Sequence, residues 1–176
     1  LRSKYDSIIS TSESINIDNS LLNCRINGLD NSKPDLIIID RYLKLRKNLK
    51  LINFSRFRKT YILTTCKENA KLLSFKKNKI KIIKINKFEE KRDFLFFLKK
   101  LKKLGKGRIL VEAGLTFINR LIEFGLISDL YIFKSCKRLK RNGYNNSKMN
   151  FIKKINRTNK IDVNLLGDTL FKVRIK

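Results

Sequence analysis

A glutamate and a glycine follow a short apolar run that leads directly into a helical pattern. The run is Arg108–Val111, with Glu112 and Gly114 just beyond it. Gly114 lets a ligand approach the backbone, and the start of a following helix offers free N–H groups to an anion such as a dinucleotide phosphate. Glu112 ends a strand where open α/β sheets bind their ligands. The pattern predicts a phosphate-binding turn beside an acidic group. An ordinary strand-to-helix turn with a helix-capping acid is the alternative.

Short runs rich in β-branched residues predict the strands that position these groups. They are apolar on both faces, which is typical of a sheet covered on both sides. Helical spacing of apolar residues predicts three helices between them, and Gly125 follows the last one as a C-terminal glycine. The predicted strands are Asp6–Ile9, Asp35–Ile39, Tyr61–Thr65, Lys79–Ile85, Arg108–Val111 and Leu130–Phe133, and the predicted helices are Glu68–Phe75, Phe88–Leu104 and Thr116–Phe124.

This alternation predicts an α/β fold with a mostly parallel sheet flanked by helices. Near the end of the chain, Lys160–Leu166 and Thr169–Ile175 flank the pair Gly167-Asp168 and predict an antiparallel edge hairpin on a two-residue turn. Lys134–Asn150 is polar and irregular, which predicts an exposed loop. The length and the single proline favour one domain over residues 1–176.

The composition excludes several kinds of chemistry. Histidine is absent, so mechanisms that need an imidazole are ruled out, and three scattered cysteines favour neither disulfides nor a metal site. No run is long enough to span a bilayer, and we expect a cytoplasmic protein. The net charge of +27 raises the possibility of nucleic-acid binding. The lysines are scattered without base-stacking aromatic motifs, so we expect a solvated surface and no specific nucleic-acid site.

The first 25 residues carry a second pattern, from a helix end into a strand and then a Ser/Thr-rich turn. Its fixed points are Leu1-Arg2, Asp6-Ser7-Ile8, Asp18-Asn19, Leu22 and Arg25. Together with Val111–Thr116 and the later Glu-x-Gly-Leu-Ile-Ser-Asp-Leu, it resembles the C-terminal reductase domain of the bifunctional riboflavin-biosynthesis deaminase/reductase family. The end of the strand at Ile39-Asp40-Arg41 and the terminal hairpin match that family in order and spacing.

The resemblance implies a dihydrofolate-reductase-like fold and a function. The reaction would be the NADPH-dependent reduction of 5-amino-6-(5-phospho-D-ribosylamino)uracil to its ribitylamino product. Asp18 would act in catalysis, with a simple turn aspartate as the alternative. Implied cofactor contacts are Ser14, Asp18, Arg41, Gly114, Leu115, Thr116, Phe117, Ile118, Asn119 and Arg120. Implied substrate contacts are Arg2, Leu22, Arg25 and Glu112, with the two arginine forks suited to the phosphate.

Some features depart from the family pattern. Ser14 replaces a threonine and keeps its hydroxyl, whereas Ser20 replaces a proline and loosens its turn. The family's first reductase strand and its deaminase domain have no counterpart here, so we expect a single reductase domain without its N-terminal strand. A pterin or dihydrofolate-type reductase of the same fold, a basic nucleic-acid-binding protein and an inactive fragment remain alternatives. The resemblance also implies a homodimer.

Overall fold

A five-stranded parallel sheet forms the centre of the first part of the chain. The computed structural model describes residues 1–24, 27–28, 34–137, 159–163 and 167–175. These divide into two compact units, Leu1–Gly114 and Leu115–Lys176. The strand order in the first unit is β4-β3-β2-β1-β5. Its strands are β1 (Ser7–Thr11), β2 (Asp35–Ile39), β3 (Thr60–Thr64), β4 (Lys81–Lys84) and β5 (Ile109–Val111).

Both faces of this sheet are buried, as the apolar runs predict. In β2, every residue from Asp35 to Ile39 is buried. Alternate strand residues such as Ile8 and Leu36 belong to one apolar cluster with helix residues Ile15 and Phe75. Ile37, which points to the other face, is also fully buried. Side chains on a strand alternate between faces, so the two layers of core cover the sheet from both sides.

Helices connect the parallel strands of the first unit. They are α1 (Ser12–Asp18), α2 (Lys50–Phe54), α3 (Ala70–Lys77) and α4 (Lys91–Lys103), and a single 3-10 turn spans Arg2–Lys4. In α4, Phe94, Phe97 and Leu101 are buried on one side at helical spacing, and Glu90 and Asp93 form a capping box at its start. The predicted helices are therefore present. Buried residues of α1, α2 and α3 join the apolar cluster on one face of the sheet, and a right-handed crossover from β4 back to β5 predicts α4 on the other face.

The second unit begins with α5 (Leu115–Glu123) and continues into an antiparallel sheet. Its strands are β6 (Asp129–Lys134), β7 (Lys160–Ile161) and β8 (Thr169–Arg174), in the order β6-β8-β7. The predicted α/β class with a C-terminal antiparallel hairpin is confirmed. In the described residues, however, β6 pairs with β8 and not with the parallel sheet.

Two local predictions are wrong. Ile161 pairs with Leu170, so the connection from β7 to β8 is longer than the predicted two-residue turn at Gly167-Asp168. Asp168 instead accepts a hydrogen bond from the Cys136 N–H at 3.1 Å, which ties it to the residues after β6. The predicted Ser/Thr-rich turn after β1 is the helix α1, because the Thr11 hydroxyl caps it by accepting from the Ser14 N–H.

Other expectations fall partly or wholly outside the described residues. The exposed loop predicted for Lys134–Asn150 is described only as far as residue 137. Among the described residues, no helix is long and apolar enough to cross a membrane.

Candidate active site

The strand order of the parallel sheet changes direction between β1 and β5. The chain runs from β1 through β2 and β3 to β4 in one direction, then returns to place β5 on the other side of β1. In open α/β sheets, ligands bind outside the carboxyl ends of the strands at such a point. The residues that follow Thr11 and Val111 lie at this edge. They belong to the two segments that resemble the reductase family, residues 1–25 and 111–116, which we call the signature segments.

A hydrogen bond joins the two signature segments at this edge. The Gly114 N–H donates to the Ser14 hydroxyl oxygen at 3.1 Å, and the same oxygen lies 3.0 Å from the Thr11 hydroxyl. Thr11 is the N-cap of α1, so the cap and the glycine turn form one network. A Cβ atom on Gly114 would lie 3.7 Å from the Ser14 hydroxyl. The predicted site residues Ser14 and Gly114 are therefore brought together.

Glu112 forms a two-pronged ion pair with Arg2. The Arg2 Nε and Nη2 atoms lie 2.8 Å and 2.7 Å from the two carboxylate oxygens. A third donor, Nη1, binds the carbonyl oxygen of Asn23 at 2.8 Å. The hydrogen bond with Glu112 is the main reason that the pKa of Arg2 is raised. Three of the five N–H groups of Arg2 thus bind Glu112 and the Asn23 carbonyl oxygen, and two N–H groups are left for another partner.

Arg41 follows β2 at the same carboxyl edge. Its Nη1 atom donates to the Phe88 carbonyl oxygen at 3.3 Å and lies 3.5 Å from a carboxylate oxygen of Glu89. The guanidinium carbon lies 4.9 Å from the centre of the Tyr42 ring. About a third of the Arg41 side chain is exposed, and Glu89 is largely exposed, so this cation can reach an anion from solvent.

The backbone that carries Arg41 is held from several sides. Asp40 is buried, and its carboxylate accepts hydrogen bonds from the Lys44 and Leu45 N–H groups at 2.8 Å and 2.9 Å. The Arg41 carbonyl oxygen accepts hydrogen bonds from the side chains of Thr64, Thr65 and Cys66. Sequence reasoning missed these supporting residues. The signal that could have found them was polar residues at the ends of buried strands: Asp40 directly follows β2, and Thr64 is the last residue of β3.

The remaining predicted residues of the first unit differ in position. Asp18 is exposed, and it lies one helical turn beyond Ser14 on the same face of α1, about 6 Å along the axis. Leu22 is 6% exposed and packs in the core, so only its backbone is suited to contact a polar ligand. Arg25 lies outside the described residues.

The first residues of α5 carry the rest of the predicted cofactor contacts. Leu115, Phe117 and Ile118 are half-buried, whereas Thr116 and Arg120 are exposed and Arg120 lies 5.7 Å from the Phe124 ring centre. Asn119 is buried, and its side-chain oxygen has no hydrogen-bond partner within the described chain. A buried amide oxygen without a partner is a site that a bound ligand could satisfy.

These features fit a phosphorylated dinucleotide. Gly114 is exposed and carries no side chain, and Arg41 offers a partly exposed cation at the same edge of the sheet. Among the described residues, no group of three metal-ligating side chains is found. Gly114, Ser14 and Arg41 offer backbone access, a hydroxyl group and a positive charge to a bound cofactor.

The fold and this edge together define an α/β domain with candidate ligand-binding groups at the carboxyl edge of its parallel sheet. The family described as the RibD C-terminal domain matches residues 1–137. The chain belongs to this family, which provides the reductase domain of riboflavin biosynthesis. No curated protein matches the chain.

Solved structures show the same fold. RibD of Acinetobacter baumannii is similar with a TM-score of 0.74 and 15% identity, over 98% of this chain and 48% of that one. A pyrimidine reductase-like protein of Corynebacterium diphtheriae is similar with a TM-score of 0.70 and 11% identity, over 98% of this chain and 77% of that one. A deaminase/5-amino-6-(5-phosphoribosylamino)uracil reductase of Thermotoga maritima has a TM-score of 0.69 and 16% identity, over 98% of this chain and 46% of that one. The chain thus spans about half the length of two of these proteins.

Proposed function

We propose that this chain reduces 5-amino-6-(5-phospho-D-ribosylamino)uracil to 5-amino-6-(5-phospho-D-ribitylamino)uracil with NADPH. The observation that carries the proposal is the hydrogen bond between Gly114 and Ser14. It joins the two family signatures at the point of the sheet where α/β proteins bind ligands. The structurally similar Thermotoga maritima protein is named as a reductase of this uracil compound, which supports the same assignment.

The cofactor supplies a hydride when it is bound, and the protein binds and orients both reactants. In the proposal, the Gly114 turn and the following residues to Arg120 bind the pyrophosphate, and Ser14 fixes the turn. Arg41 receives the 2′-phosphate, because it is a partly exposed cation at the end of β2. The ion pair with Glu89 is long and exposed, so a phosphate can replace that carboxylate.

The substrate contacts are divided between charge and shape. Glu112 accepts hydrogen bonds from N–H groups of the pyrimidine, and Arg2 holds both of its oxygens in place. Glu112 offsets the charge of Arg2, so Arg25 supplies the net positive charge for the 5′-phosphate, and Arg2 contributes its two remaining N–H groups. The backbone of Leu22 completes the contact surface.

Asp18 is proposed to manage the proton of the reaction. The ring-opened form of the ribosylamine has a C=N bond at C1′, and a hydride added to that carbon leaves an electron pair on nitrogen that must receive a proton. Asp18 is exposed and lies on the face of α1 that carries Ser14. Its carboxyl group can stabilise the developing positive charge of the protonated imine or relay the proton from water.

The test is turnover with three matched substrates. Consumption of NADPH by the purified chain is measured with the phosphorylated uracil compound, its dephosphorylated analogue and dihydrofolate. We expect turnover of the first, a large loss of kcat/KM for the second and none for the third. Equal rates with the first two substrates would contradict the phosphate contacts. Preferential turnover of dihydrofolate would support the pterin-type alternative and overturn the proposal.

A further inference from the structure

Two arginines from distant parts of the chain bind three consecutive carbonyl groups in the loop after α1. Arg58 donates through Nη1 to the Leu22 oxygen at 2.9 Å and through Nη2 to the Leu21 oxygen. Arg2 donates through Nη1 to the Asn23 oxygen. This segment, Leu21–Cys24, has no regular secondary structure. We call it the anchored loop, because its backbone is held by side chains and not by a helix or a strand.

Arg58 is unusual because it is a buried cation without a carboxylate partner. It is 7% exposed, and no carboxylate lies within ion-pair distance of it in the described part of the chain. Its Nε atom is buried with no hydrogen-bond partner there, and its guanidinium carbon lies 5.5 Å from the Phe54 ring centre. Burial lowers the pKa of Arg58 to about 10, so the group is still charged at neutral pH. Burying a charge against neutral carbonyl groups is costly, and a hydrophobic residue of similar size could fill the space without that cost.

The anchored loop adopts a backbone conformation that needs such support. Leu22 has a φ of 52°, in the left-handed region that leucine rarely adopts. Its side chain is packed in the core, which fixes one side of the loop, and Arg58 fixes the carbonyl groups. The next residue after the loop is Arg25, the proposed ligand of the substrate phosphate. The loop also adjoins two proposed substrate contacts that are described, because Arg2 binds both the Asn23 carbonyl oxygen and Glu112.

We propose that Arg58 is a positioning residue for substrate binding, which holds the anchored loop so that the Leu22 backbone and the neighbouring Arg2 meet the substrate. This inference rests on the proposed function, because it assigns a role in the same substrate site. Arg58 itself makes no contact with the substrate. Both hydrogen bonds of Arg58 go to carbonyl groups of the anchored loop. Neither goes to the Gly114 turn or to Arg41, so we expect Arg58 to affect substrate binding and not cofactor binding.

The test compares Arg58→Met with Ser55→Ala, a matched control in the same turn before β3. Ser55 is also buried, and its hydroxyl lies 2.5 Å and 2.7 Å from the carbonyl oxygens of Ile52 and Asn78, so its loss also removes two side-chain contacts to carbonyl groups. It does not touch the anchored loop. For Arg58→Met we expect KM for the phosphorylated substrate to rise about tenfold or more, with KM for NADPH unchanged. For Ser55→Ala we expect a loss of thermal stability with both KM values unchanged.

Arg58→Lys keeps the test decisive if Arg58→Met does not fold. An ammonium group keeps the charge but reaches one carbonyl group more easily than two, so we expect a smaller rise in the substrate KM with the NADPH KM unchanged. An unchanged substrate KM in a folded Arg58 variant, or an equal change in Ser55→Ala, overturns the proposal.

A second measurement separates this proposal from the proposed function. If the wild-type chain does not reduce the uracil compound, the proposed function fails, and amide hydrogen exchange of the anchored loop then decides the role of Arg58. Faster exchange at Leu22, Asn23 and Cys24 in the Arg58 variant than in Ser55→Ala supports the anchoring. Equal exchange in the two variants contradicts it.

Discussion

The ion pair between Arg2 and Glu112 gives the most quantitative prediction. Both carboxylate oxygens are bound, at 2.8 Å and 2.7 Å, and the side chains are 26% and 31% exposed. Hydrogen bonds to charged groups contribute about 1.5 to 3 kcal/mol, whereas exposed ion pairs contribute about 0.2 to 1 kcal/mol. The pair lies between these cases because water still reaches it. We therefore expect a coupling free energy of about 1 to 1.5 kcal/mol between the two side chains.

A double-mutant cycle with Arg2→Met and Glu112→Gln measures this coupling. Arg2→Met should cost about 1 kcal/mol more than Glu112→Gln, because it also removes the hydrogen bond to the Asn23 carbonyl oxygen. The chain has no tryptophan, so urea unfolding is followed by far-ultraviolet circular dichroism. For a chain of this length, the coupling corresponds to a difference of about 2 to 6 °C in Tm. Additive effects of the two substitutions, with no coupling, would refute the reasoning.

Three further predictions follow from the same geometry. Gly114→Val should abolish NADPH binding measured by fluorescence titration. Gly107→Val is the control and should not, although a Cβ atom would lie 3.7 Å from a polar oxygen at both positions. Equal losses of binding in the two variants would remove Gly114 from the cofactor site. Arg41→Gln should weaken NADPH binding about tenfold and leave NADH binding unchanged, because only NADPH carries the 2′-phosphate, and equal losses would contradict the assignment of Arg41. The N–H groups of Arg108 and Gly107 hold the pKa of Asp6 below its ordinary value of 3.8. Ionised Asp6 therefore stabilises the folded state at pH values above 3.8, and this stabilisation is lost as the pH falls through the lower pKa of the folded state. The unfolding free energies of wild type and Asp6→Asn should differ above pH 3.8 and converge at lower pH.

The strands and long helices of this fold could be predicted from the sequence because burial on both faces leaves continuous apolar runs. β2 was predicted with its observed bounds, and α4 with its apolar stripe. The helix α1 was missed because Ser, Glu, Asn and Asp dominate its seven residues, and a cap by Thr11 decides its conformation. The separate antiparallel sheet was missed because strand partners are set by tertiary contacts and not by the pattern within a strand.

The candidate site could be predicted where a family signature marked it, as at Ser14 and Gly114. The long-range contacts that hold the site together could not be predicted from the sequence. Arg2 was expected to be available to a phosphate, yet its fork binds Glu112, which lies 110 residues away. Arg58 gave no signal at all, since one arginine in a chain with 42 Lys and Arg residues is inconspicuous until its burial is known. Both are long-range contacts of a charged side chain, which no local pattern encodes.

Isotope transfer from the cofactor tests the central proposal most directly. The purified chain is incubated with NADPH that carries deuterium at the reactive position of the nicotinamide and with 5-amino-6-(5-phospho-D-ribosylamino)uracil, and the product is analysed by mass spectrometry. The account predicts a ribitylamino product that carries one deuterium on C1′, formed in equal amount to the oxidised cofactor. Absence of this product, with the substrate intact and the chain shown to be folded, would contradict the account.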